Sequence, residues 1–214
     1  MATSNKGKVF PAEPLTRLEV EHLLAACGRG PAGRRNKALI ATLYRSGLRI
    51  SEALALKPSD VDASTRMVNV RRGKGGKQRS VAMDPAAFDY IDAWVAERRR
   101  LGIERDKPLF CTVSRGAVRT AGEPLETAYI RALLPRLGRK AGITKRVHAH
   151  GLRHTHASEL VREGEPLNRV QGQLGHGSPG VTSRYIEKIA APELARTIGR
   201  RKWEVETPAA RPDP

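Results

Sequence analysis

Residues 44–62 read YRSGLRISEALALKPSDVD. They hold a helix end, a sharp turn and a helix start in quick succession. Upstream, Leu39, Ile40, Leu43 and Tyr44 recur at helical spacing, which predicts a helix over Arg35–Ser46 with Gly47 as its stop. Ser51 opens a second short helix, and Pro58 ends it. Downstream, MVNVRR (67–72) and QRSVAM (78–83) alternate as strands around the Gly-rich turn GKGGK (73–77), so the pair reads as a hairpin. Pro85 suits the first turn of an amphipathic helix reaching about Leu101. Before the quoted stretch, Thr16 and Glu19 have capping-box spacing for a helix to about Cys27, and GRGPAGR (28–34) reads as a loop.

Further along, residues 102–125 read as irregular, with a short strand at LFC (109–111). A helix over 126–140 follows. HAHGLRHTHASELVREG (148–164) begins as a turn and becomes a helix that Gly164 stops. PLNRVQGQLGH (166–176) gives a short helix with Pro166 at its start. In GVTSRYIEKI (180–189), Val181, Tyr185 and Ile189 are four apart and share one helix face. PELARTIGRRKW (192–203) is a last helix, and the Pro-rich end, 205–214, reads as disordered. Residues 1–14 read as a flexible leader. The pattern predicts a mostly α domain with one small antiparallel β-sheet, an α+β fold without internal repeats.

Charge narrows the function. Among 214 residues, 39 Lys and Arg face 22 Asp and Glu, a net charge of +17. Such a field suits a polyanion, most commonly nucleic acid. The bland alternatives are a solvated basic surface or an anionic membrane binder. Arg71, Arg72, Lys74, Lys77 and Arg79 lie together without an acid between them. Arg136, Arg139, Lys140, Lys145 and Arg146 form a second cluster, Arg98, Arg99 and Arg100 a third, and Arg200, Arg201 and Lys202 a fourth. No apolar run is long enough to span a membrane as a helix. The N-terminus lacks the apolar block of a secretion signal. Cys27 and Cys111 are unpaired in pattern, which argues against a disulfide scaffold and a Cys-based zinc site. A cytoplasmic protein is expected.

Individually the reactive residues are ambiguous. GKGGK lacks P-loop spacing and sits inside a hairpin, so it is first a turn, one that could project Lys74 into a DNA groove. His150 and Arg153, three apart, share a helix face, and a cation beside a histidine suits an oxyanion better than a metal. Zinc at His150 and His154 is the rival, with no acidic third ligand nearby. His154 and His156 read as structural, and His148 as exposed. His176 alone is a helix-capping residue, and Tyr185 alone is core. Arg49 could simply pair with Glu52.

Together these segments resemble the tyrosine recombinases, the phage integrase or Xer-type family. YRSGLRISEALALKPSDVD, VNVRRGKGGKQRSVAMD, HAHGLRHTHASEL and LGHGSPGVTSRYIE occur in the family's order and cover roughly residues 15–190. The resemblance implies a catalytic domain over 15–204. It implies Arg49, Lys74, His150, Arg153, His176 and the nucleophile Tyr185 as catalytic residues, with Glu52 supporting Arg49. It implies DNA contacts from Arg71, Arg72, Lys77, Arg79, Arg139, Lys140, Lys145 and Arg146. The implied chemistry joins Tyr185 to a DNA 3′-phosphate and releases a 5′-hydroxyl, with neither metal nor ATP, because the covalent link conserves the bond energy. Arg49, Arg153 and His176 would hold the non-bridging oxygens, Lys74 would protonate the leaving oxygen, and His150 would assist at the tyrosine.

The implied partners are double-stranded DNA and further copies of the chain in a tetrameric synapse. Family members carry an N-terminal DNA-clamping domain that is expected to be absent here. Two other readings share the sequence features: a type IB topoisomerase that only relaxes DNA, and a non-catalytic DNA-binding accessory protein.

Overall fold

The computed structural model describes residues 13–71, 78–113 and 121–175. Helix α1 (Arg17–Ala25) starts at Thr16, whose side chain accepts from the Glu19 backbone N–H while the Glu19 carboxylate accepts from the Thr16 N–H. Two orphan donors of the first turn are thereby satisfied, as the spacing predicts. Helix α2 (Pro31–Ser46) begins earlier than expected. Pro31 occupies its first turn, where a missing N–H costs nothing, so half of the predicted loop is helix. At its other end Gly47 turns left-handed at φ 64°.

Helix α3 (Ile50–Leu54) and a 3-10 turn (Pro58–Asp60) lead into three antiparallel strands, β1 (Val61–Asp62), β2 (Met67–Val70) and β3 (Arg79–Ala82), in that order across the sheet. The hairpin register pairs Met67 with Ala82 and Val70 with Arg79. Val68, Val70 and Val81 face the core, and Asn69 meets Ser80 on the outer face. The two-residue β1 is too short to show a period of its own. The edge of β3 is blunted by one side chain: the Gln173 amide accepts from Ala82 N–H at 3.1 Å and donates to Ala82 O at 2.6 Å.

Helices α4 (Pro85–Arg100), α5 (Thr127–Lys140), α6 (Ala149–Arg162) and α7 (Leu167–Leu174) complete the described chain. Helix α2 is the hub and packs on α1, α3, α4 and α6. Its Leu39, Ile40 and Leu43 join Trp94, Phe110, Ile130 and Leu134 in a fully buried aliphatic core with few rings. Where LFC was expected to form a strand there is a single bridge, Cys111 to Pro124. Arg98, expected in a basic surface cluster, is instead buried and donates to the carbonyls of Glu104, Lys107, Pro108 and Leu109. It satisfies a loop that has no ladder of its own. Among the described residues, no helix is long and apolar enough to cross a membrane.

Candidate active site

Three chain segments converge beside the sheet. The first is Gly47–Glu52, the turn after α2 together with the first turn of α3. The Glu52 carboxylate accepts from the Arg49 backbone N–H at 2.9 Å and from Arg49 Nη1 at 2.8 Å. The second is the first two turns of α6, which carry His150 and Arg153. The third is the C-terminal end of α7, where the helix carbonyls have no intrahelical donors. Leu174 O accepts from Arg153 Nη2 at 2.6 Å, and the next carbonyl, Gly175 O, accepts from Arg49 Nη2 at 3.2 Å. Arg153 Nη1 donates to Gly47 O. Two guanidiniums are thus fixed on neighbouring carbonyls at the negative end of one helix dipole.

The electrostatics follow from this crowding. Arg153 is only 4% exposed. Burial, then the positive charge of Arg49, pushes its guanidinium down to about 10, against a partial offset from Glu52. Such a corner favours an incoming anion, which would relieve the repulsion. Glu52 feels the opposite. Burial alone would raise its pKa, but donors from Arg79 and Arg49 hold it at about 2. His150 stands exposed on the first turn of α6. Desolvation by its surroundings and the charge of Arg153 lower its pKa, which keeps the ring neutral near pH 7 and able to take a proton.

Residues 13–191 match the phage integrase family. The chain belongs to that family. It is 36% identical over 186 residues to the tyrosine recombinase XerC of Shewanella oneidensis, covering 84% of this chain and 58% of that one. It is 35% identical over 188 residues to the tyrosine recombinase XerA of Thermococcus kodakarensis, covering 88% of this chain and 62% of that one. The chain therefore spans about three-fifths of the length of these relatives. A crystal structure of XerA recombinase superposes with a TM-score of 0.74 at 28% identity, over 95% of this chain and 68% of that one. The XerH site-specific recombinase, in a post-cleavage complex with its palindromic difH substrate, superposes at 0.71 and 27% identity, over 89% of this chain and 54% of that one.

Of the six catalytic residues expected for this phage integrase relative, Arg49, His150 and Arg153 meet in the site just described. Lys74, His176 and Tyr185 lie outside the described residues, as do the expected DNA contacts Arg72 and Lys77. Arg139 and Arg146 are exposed, and Arg71 is exposed while paired to Asp60.

Three other expected DNA contacts have partners within the protein, although Lys140 itself is exposed. Arg79 forms two parallel bonds to Glu52, at 3.0 and 2.8 Å, with its side chain 15% exposed. Lys145 crosses the start of α1 and pairs with Glu19 at 2.8 Å. Lys140 donates to Ala26 O at 2.9 Å, capping the end of α1. In each case an acceptor distant in sequence captures the cation, and residue spacing could not reveal it.

His148 also departs from expectation. It is half-buried, occupies the N-cap position of α6 without a side-chain capping bond, and lays its ring over Gly151, where a Cβ would lie 2.8 Å from Nδ1. His154 is buried and packs edge-to-face on His150 with ring centroids 5.3 Å apart. Among the described residues, no group of three or more His, Cys, Asp or Glu is placed to hold a metal. Sequence reasoning missed the α7 terminal carbonyls and the Arg79–Glu52 pair. The left-handed Gly175 was the available signal for the former.

Proposed function

We propose that this chain breaks and rejoins duplex DNA through a tyrosyl phosphodiester, as the strand-exchange domain of a site-specific recombinase. The observation that carries the reading is the pair Arg49 and Arg153, held on consecutive carbonyls of one helix end. In this reading both guanidiniums bind the non-bridging oxygens of the scissile phosphate, where charge grows in the transition state. His176, the next residue after Gly175, adds a donor. The Tyr185 oxygen attacks phosphorus, the bond to the 5′-oxygen breaks, Lys74 supplies the proton to that oxygen, and neutral His150 accepts or orients the tyrosine proton. No ATP is needed because the new ester conserves the bond.

Relatives named as recombinases, and a relative crystallised with its DNA substrate after cleavage, support recombination over relaxation alone. The same reading has four copies assembling on two DNA sites, in the cytoplasm where those sites are found. The test is a nicked duplex that traps the cleaved state. The expected result is a protein–DNA adduct that survives denaturing electrophoresis, forms in EDTA, and is absent in Tyr185→Phe. An adduct of unchanged yield in that variant would assign the nucleophile to another residue.

A further inference from the structure

Arg79 closes a ring around the catalytic corner. Its two Nη atoms reach the two oxygens of Glu52, and the same carboxylate holds Arg49 through a side-chain and a backbone donor. Behind Arg79 lies Gly175. A Cβ on that glycine would fall 2.6 Å from Arg79 Cζ and Nε, so the guanidinium is in contact with the Gly175 backbone. Gly175 O in turn accepts from Arg49 Nη2. The circuit Arg79–Glu52–Arg49–Gly175 is thus complete. Arg79 Nε is buried, and no described residue accepts from it. Arg79 also opens β3, five residues after Lys74, and Gly175 immediately precedes His176.

We propose that Arg79 is a positioning residue that sets the Arg49 guanidinium for phosphate, through Glu52 on one side and Gly175 on the other, and makes no DNA contact itself. The inference rests on the proposed strand cleavage. The planar fork of arginine suits the task, since it meets both carboxylate oxygens while its flat face packs on glycine. A lysine ammonium would meet the carboxylate as a point charge and leave that face open. Turning Arg79 toward DNA would strand Glu52 in the interior with half of its donors lost. The charges facing Glu52 are Arg49 from the turn, Arg79 from β3 and Arg153 from α6, with His150 beyond the two arginines.

The experiment compares wild type, Arg79→Met and Arg79→Lys on the nicked duplex at saturating protein. Three quantities are followed: the single-turnover cleavage rate against pH, the salt dependence of binding, and the Glu52 carboxyl titration by carbon NMR. A misplacement of about 1 Å commonly costs about 100-fold in rate. Arg79→Met should therefore cleave about 10- to 100-fold more slowly, and Arg79→Lys should recover only part of the loss. The Glu52 midpoint should rise from about 2 toward 4.5, and the acid limb of the rate should rise with it. The slope of log affinity on log salt should stay as in wild type.

A slope flattened by about 0.9, with cleavage at saturation intact, would make Arg79 a phosphate contact and overturn the proposal. A slower rate with an unmoved acid limb and an unmoved Glu52 midpoint would overturn it too, leaving only a structural pair. If Arg79→Met loses its cooperative melt, Arg79→Lys carries the comparison. If wild type itself forms no adduct, strand cleavage falls, and the Glu52 titration decides the positioning on its own.

Discussion

At Glu52 burial and hydrogen bonding act in opposite directions, and hydrogen bonding wins. With its pKa at about 2 instead of 4.5, the carboxylate stabilises the fold fully above pH 4.5, and that contribution is lost as pH falls through 2. His156 acts at higher pH. Its ring is buried against Gly47, and desolvation, then the charges of Arg45 and Arg153, lower its pKa to about 4 from 6.5. The unfolded chain therefore binds a proton that the folded chain refuses between pH 6.5 and 4, so stability falls as pH drops through that window. Each shift corresponds to about 3 kcal/mol. A melting curve against pH should decline in two overlapping stages. His156→Gln should flatten the stage between 6.5 and 4. Glu52→Gln should lower the melting temperature at neutral pH, because it leaves Arg49 and Arg79 without their counter-charge, yet flatten the stage below 4.5. Acid profiles that merely run parallel to wild type would show that neither group governs the decline.

Helix ends, more than helix bodies, build the site. Gly47 ends α2 at φ 64°, and its carbonyl receives Arg153. A Cβ there would lie 2.7 Å from His156 Cδ2 and 2.8 Å from Leu174 Cδ2. Gly142, at φ 70°, ends α5 with nothing within 4 Å of its added Cβ, which makes it a matched control. Alanine at Gly142 should cost only the left-handed backbone term, about 1–2 kcal/mol. Alanine at Gly47 should cost a further 1–3 kcal/mol or so from overpacking, and it should slow cleavage because the Arg153 acceptor moves. Equal losses in denaturant titrations of the two variants would refute the packing argument.

The same elements show what the sequence could convey. The Thr16 cap, the Gly47 stop, the hairpin around GKGGK and the helix over α4 follow from local chemistry, and they were legible. The start of α2 was misplaced because the glycines of GRGPAGR outweighed the helix-starting Pro31. Glu52 beside Arg49 was visible because the two are three residues apart. Its second partner, Arg79, is 27 residues away on another element, and only the folded chain brings them together.

Across the whole molecule, the surplus of 17 positive charges overstates the cationic surface open to an anionic partner. Arg79, Lys145 and Arg98 spend their charge or donors on internal acceptors. What faces solvent includes Arg136, Arg139 and Arg146 around the end of α5 and the approach to α6. Cations that displace condensed counterions from phosphate steepen the salt dependence, each by about 0.9 in the logarithmic slope. Cations already paired within the fold release none. If the proposed function holds, Arg139→Gln should weaken DNA binding evenly across sequences and flatten the slope by about 0.9, with little change in melting temperature. Lys145→Met should do the reverse. The loss of its bonds to Glu19 and to Pro14 O unties α1 from the strap before α6, lowering the melting temperature while the slope stays put. Binding isotherms between about 50 and 200 mM salt span enough affinity to separate the two. If Lys145→Met flattened the slope as much as Arg139→Gln, its pair with Glu19 would have to open on DNA, and the count of cations available to phosphate would rise accordingly.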